Sequence, residues 1–219
     1  MTPGRPSLLR LVLVPSLVTL AVSVARVACE LAGIVNARSG GAASPLGITW
    51  LVVVFGAWFG WRLAREGEAP GRRFAWAWSL VAVILLVAMV GVRLGGLDPE
   101  DRSESAYVVL RQQVLVVTGV AVVLAFLQVR VWSRLAVVLF VYGIGARLTV
   151  AAIAIAAKLG GQDTHYTKFG PAGIERDLGD TIKSVLLSQL GFWVGFTVVV
   201  GSLAGNVAAA IVRRGRSRS

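Results

Sequence analysis

The chain has 219 residues, 56% hydrophobic and 15% charged, with several uninterrupted apolar runs; soluble domains carry about 25% charged residues, so a water-soluble globule is excluded and lipid is the expected solvent. The net charge of +11 comes with no zinc-finger spacing, RNA-binding aromatic motif or soluble basic helix, so no nucleic acid partner is expected. One cysteine, Cys29, excludes an intramolecular disulfide and a cysteine-cluster metal site.

Six apolar segments are expected as helices, at roughly 9–36, 46–64, 74–96, 107–130, 134–158 and 181–212. Residues 1–212 then form one all-α integral membrane domain, a bundle of about six transmembrane helices. Residues 213–219, "RRGRSRS", form a basic cytoplasmic tail suited to anionic lipid. The first run follows Arg5 and Arg10 but is too long for a signal-peptide core, and is read as a retained helix. It stops at "NARSGGAASP", and the second stops at "REGEAPGRR". Glycines in "RLGGLD" and "KLGGQD" suit left-handed caps after the third and fifth. Only "RVWSR" separates the fourth from the fifth. The sixth begins after "GDT", where Asp180 or Thr181 can cap.

Basic residues alternate between the loops. Arg5, Arg10, Arg62, Arg65, Arg72, Arg73, Arg130, Arg134, Arg213, Arg214, Arg216 and Arg218 fall on one side. The other side holds Arg38, Arg102, Lys168 and Arg176 with most of the acids. This bias predicts cytoplasmic N- and C-termini in a bacterial-type inner membrane. Trp61, Trp76, Trp78 and Trp132 then form an aromatic belt at the inner interface.

Three G-x-x-x-G motifs, Gly56/Gly60, Gly191/Gly195 and Gly201/Gly205, allow close helix approach. They read as bundle packing first and as homo- or hetero-oligomer seams second. A weak echo between 92–119 and 157–191 fits either a duplicated helix pair or convergent end-capping.

Charge inside the runs demands more explanation. Arg93, Lys158 and Lys183 lie near helix ends and can snorkel. Arg26 lies 16 residues beyond Arg10, roughly 24 Å up the helix; Arg147 lies 13 beyond Arg134, roughly 20 Å up. Glu30 is one turn from Arg26 on the same face. Coming down the fourth helix, Arg111, Gln112 and Gln113 reach about the same depth, and Gln189 reaches its rim. The expectation is a polar layer in the outer half, with Arg26, Glu30, Arg111 and Arg147 converging. Three arginines against one glutamate leave a formal excess of +2. Guanidinium forks suit carboxylate or phosphate, so the ligand-binding set is Arg26, Glu30, Arg111, Gln112, Gln113 and Arg147. A structural clasp is the competing reading.

The loop 160–180 supplies lid candidates, His165, Tyr166 and Lys168, though Tyr and Phe beside a span also serve as interfacial anchors. His165 with Asp163 makes a poor metal site. There is no G-x-S-x-G, H-E-x-x-H or P-loop. No metal or cofactor is expected. The leading reading is binding or transport of an anionic solute or lipid headgroup, with membrane lipid as the surrounding partner. The alternatives are a non-catalytic membrane subunit or assembly factor, and a small lipid-acting enzyme using Glu30 or His165.

Overall fold

The computed structural model describes residues 7–36, 44–98, 103–162, 164–167 and 177–216. All regular structure among them is helical. In chain order come α1 (Leu8–Leu31), α2 (Thr49–Arg65), α3 (Ala75–Leu94) and α4 (Glu104–Leu159). A 3-10 turn at His165–Thr167 follows. Then α5 (Leu178–Leu186) passes through a π-helical stretch, Leu187–Trp193, into α6 (Val194–Arg216). Among the described residues, four helical runs are long and apolar enough to cross a membrane: Leu8–Leu31, Ala75–Leu94, Glu104–Leu159 and Leu178–Gly215. The 17 residues of α2 rise only about 26 Å, just short of a bilayer's hydrocarbon core.

Helix ends follow local chemistry. Backbone N–H groups of Arg10, Ala106 and Asp180 donate to the side chains of Ser7, Ser103 and Asp177. Asp177, not Asp180 or Thr181, is therefore the cap, and its carboxylate also suits the positive end of the helix. Gly33 and Gly161 take positive φ just beyond α1 and α4, where a side chain would be strained. The expected left-handed cap after α3 is absent, since Gly95 is right-handed with φ −69°.

The 56 residues of α4 do not form one rod. Trp132 has φ −153° and ψ 94°, which breaks the helix inside the expected 130–134 gap. Thr118 and Ala121 before the break lie against Gly191 and Gly195. Leu139 and Leu135 after it lie against Gly201 and Gly205. One limb of α4 thus runs with the α5–α6 helix and the other against it, so the chain reverses at Trp132.

Glycine sets the tightest contact. A Cβ on Gly56 would lie 2.6 Å from Gly201 Cα, and one on Gly60 would collide with the Gly205 backbone. The two motifs face each other across α2 and α6, and Gly191/Gly195 faces α4. In lipid, close van der Waals packing must replace the hydrophobic drive between helices. All three motifs considered as oligomer seams are therefore occupied within the chain.

The surface is apolar and the seams are partly polar. On α1 the buried positions are Leu11, Val12, Pro15, Thr19, Ser23 and Arg26, while Leu13, Val14, Leu17 and Val24 are exposed. A soluble helix shows the reverse order. At the arginine-rich end, Gly71 N–H donates to Val131 O at 3.0 Å and Arg134 approaches Glu68 at 3.8 Å. Leu11, Leu63, Trp132, Leu135 and Ala209 share one core cluster toward this end. At the other end, Ile48, Val150, Ala154, Tyr166 and Val185 share another.

Candidate functional site

Arg26 and Arg147 both lie in the interior, 1% and 4% exposed. Depth alone suggested the pairing; the α1–α4 seam supplies the reason. Positions 19, 23, 26 and 30 recur at helical spacing, so one stripe of α1 carries Thr19, Ser23, Arg26 and Glu30 toward the second limb of α4. The Thr19 and Tyr142 hydroxyls are 2.9 Å apart. Thr19 also donates to the Pro15 carbonyl, and Ser23 to the Thr19 carbonyl, both at 2.9 Å. Ser23 shares a side-chain hydrogen bond with Tyr166 from the 164–167 turn.

Glu30 joins α1 to the 164–167 turn. Arg26 Nε donates to its Oε1 at 2.8 Å, and the His165 backbone N–H donates to its Oε2 at 2.8 Å. The Arg26 and Glu30 side chains are each 1% exposed. His165 therefore meets Glu30 through its amide. Its ring stands edge-on to Tyr166 at 5.7 Å. Thr167 Oγ1 lies within hydrogen-bond reach of the Thr164 backbone N–H and carbonyl, which compacts the turn. Tyr166 is 7% exposed and packs against Ile48, Val150 and Val185, so this part of the loop covers the polar cluster. Burial pushes its phenol above the usual value, and the hydrogen bond with Ser23 pulls the other way. Of the lid candidates, Lys168 lies outside the described residues.

Arg147 is held differently. Its guanidinium carbon lies 4.6 Å from the Trp193 ring centroid, a cation–π stack. Its Nε is buried and has no hydrogen-bond partner among the described residues. Trp193 closes the π-helical stretch, whose extra residue per turn shifts the register of side chains on that face. Gln189, in the same stretch, is also buried, and its Oε1 has no partner among the described residues.

Three of the expected ligands do not join this cluster. Arg111 and Gln112 are exposed near the start of α4. Gln113 is half-buried and accepts a 3.5 Å bond from Arg93 Nη1, tying α4 to the end of α3. Rotation about the helix decides facing, and Val117, Thr118 and Ala121 take the inward positions instead. Among the described residues of this cluster the buried charge excess is thus +1, from Arg26 and Arg147 against Glu30.

Sequence reading missed Thr19, Ser23, Tyr142 and Trp193. The i, i+4 spacing of the first two with Arg26 and Glu30 was the available signal. A second buried polar group also went unread, near the basic end. Ser79 Oγ donates to Gln128 Oε1 at 2.7 Å, and Asn206 Nδ2 donates to Ser79 Oγ at 3.0 Å. All three are at most 2% exposed and come from three helices. That half of the bundle therefore carries its own buried polar group.

Chemically, the cluster around Arg26 and Arg147 offers guanidinium, indole and phenol groups. Both carboxylate oxygens of Glu30 are already engaged. No cluster of three or more His, Cys, Asp or Glu side chains occurs among the described residues. The arrangement suits holding an anion rather than proton transfer. Set against protein-family models, curated proteins and solved structures, the chain matches none of them.

Proposed function

We propose that this is a six-span bacterial-type inner-membrane protein, with both termini cytoplasmic, that binds an anionic group at Arg147. The anion is a small organic solute or a lipid headgroup, reached from the outer face past the turn at 164–167. One observation carries the reading. Arg147 is 4% exposed, and no carboxylate pairs with it among the described residues. Burying such a charge in an apolar medium is costly, and an anion or an aqueous path offsets that cost. The reversal of α4 at Trp132 supports six crossings, and the arginine bias supports the orientation.

Binding is tested with the purified chain in nanodiscs, titrated with inorganic phosphate and with a soluble short-chain phosphatidic acid. A saturable change in indole emission is expected, lost with Trp193→Phe and weakened at least tenfold by Arg147→Gln. Arg111→Gln should leave it unaltered. Equal binding by a folded Arg147→Gln variant sinks the proposal. Flux of the same anions into proteoliposomes separates transport from binding. For orientation, a thiol introduced by Ala69→Cys should label only from the cytoplasmic side, and one from Ser44→Cys only from outside.

A second reading has its own observation. Glu30 uses both oxygens to fasten α1 and the 164–167 turn. In that case the cluster is a structural clasp in a non-catalytic subunit. Loss of stability in Arg147→Gln with no anion response in the parent protein would favour it.

A further inference from the structure

The arginine-rich end contains a cleft of about 560 Å³ that the cluster around Arg26 and Arg147 does not explain. It lies between the segment leading into α3 and the last turns of α6. Arg72 and Arg73 line one wall, and Arg213 and Arg214 the other. No Asp or Glu is among its described lining residues. The acids of the neighbouring loop face other arginines, Glu66 toward Arg62 and Glu68 toward Arg134. Arg72, Arg73 and Arg213 place like charges around one concavity and create a strong positive field, which an anion would relieve.

Asn206 forms part of the lining and gives the cleft a built polar element. It is 2% exposed and held from behind by Ser79, which Gln128 holds in turn. Its Oδ1 is buried and has no partner among the described residues. A buried acceptor without a donor is unfavourable, and a ligand hydroxyl or N–H would satisfy it. The entry to the cleft is strained as well. Phe74 has φ 57°, a left-handed conformation rare for a bulky residue. Its ring lies 5.2 Å from the Arg73 guanidinium. Such outliers cluster at ligand clamps.

The surroundings point to a lipid. Trp76 lines the cleft and, with Trp78, stands exposed at the start of α3. Exposed Trp marks the headgroup level of a bilayer. Leu80, Val81, Ile84 and Leu85 continue along the helix as exposed apolar surface. A headgroup seated among the arginines would leave its acyl chains on that surface.

We propose that this cleft binds a membrane phospholipid whose headgroup carries both a phosphate anion and a hydroxyl donor, a phosphoglycerol headgroup being the simplest case. The phosphate sits among Arg72, Arg73 and Arg213, and the hydroxyl donates to Asn206 Oδ1. Basic pockets between spans are suited to such headgroups. The site is separate from Arg147 and does not depend on it.

The test uses the full chain in a neutral detergent, with binding of dioctanoyl lipids read by native mass spectrometry. Dioctanoyl phosphatidylglycerol should bind at least tenfold more tightly than dioctanoyl phosphatidylcholine and than soluble glycerol phosphate. Arg73→Gln with Arg213→Gln should abolish that preference while leaving the helix content intact. The double variant Arg216→Gln/Arg218→Gln should retain it, which separates the cleft from general attraction to the tail. Asn206→Ala should reduce the preference for phosphatidylglycerol over dioctanoyl phosphatidic acid, which lacks the headgroup hydroxyl. Because Asn206 is buried, the exposed arginine pair carries the decision should that variant misfold. Equal binding of glycerol phosphate would make the cleft a soluble-phosphate site and overturn the proposal. So would a preference that survives the Arg73/Arg213 change or disappears with the tail change.

Discussion

Replacing Glu30 by Gln tests the physical core of the cluster at the α1–α4 seam. The wild-type carboxylate accepts two 2.8 Å hydrogen bonds, from Arg26 Nε and the His165 N–H. Glutamine has one side-chain carbonyl oxygen. It can serve one of those donors while its NH₂ opposes the other. A hydrogen bond to a charged group contributes about 1.5–3 kcal/mol. Removing one partner of a buried ion pair costs about 3–5 kcal/mol. With both side chains 1% exposed, solvent screening is slight, and about 3 kcal/mol is expected. That corresponds to roughly a 150-fold shift in the folding equilibrium, at 1.4 kcal/mol per factor of ten. Unfolding is followed by helicity as SDS is titrated into bicelles. Hydrogen exchange at the 164–167 amides reports the turn separately, and those amides should lose protection first. The double variant Arg26→Met/Glu30→Gln should recover at least half the loss, because it removes the buried charge along with its partner. A Glu30→Gln protein within about 1 kcal/mol of the parent, below the expected range, would refute the reasoning. A double variant weaker than the single one would do the same.

Gly60→Ala should destabilise by about 1–3 kcal/mol in that assay, because the new Cβ meets the Gly205 backbone, which cannot swing aside. Gly91→Ala is the matched control: nothing lies within 4 Å of its Cβ position, and helix propensity alone should make it neutral or stabilising by up to about 1 kcal/mol. Tyr166→Phe should cost about 1 kcal/mol near pH 7 through the lost bond to Ser23. Below pH 10 the phenol is neutral in both folded and unfolded chains, so its full contribution is present. Burial raises the folded value above 10.0, so above pH 10 the unfolded state ionises first and the contribution falls as pH rises. The stability gap between the parent and Tyr166→Phe should therefore narrow between pH 9 and 11; a constant gap would show that the phenol is not desolvated.

How far the sequence reached is clearest residue by residue. Apolar run length and loop chemistry placed α2 and α3 within three residues at each end and located the Trp132 break between Arg130 and Arg134. These are local properties, set by the next few residues. The 1.5 Å rise also marked Arg26 and Arg147 as far from the basic helix ends, and both are buried. Arg111 failed because depth and facing are different quantities. A helix exposed to lipid is apolar nearly all round, so its sequence carries little record of which face turns inward.

What the sequence alone determined, then, was the solvent, the helical class and the approximate span ends, because a chain in hydrocarbon must satisfy its backbone locally. Only the tertiary structure decided partners. It set Gly56/Gly60 against Gly201/Gly205, brought Ser79, Gln128 and Asn206 from distant positions to one point, and gave Glu30 the amide of His165. Those choices depend on helix rotation and on the reversal at Trp132, and their energies arise only when separate helices touch.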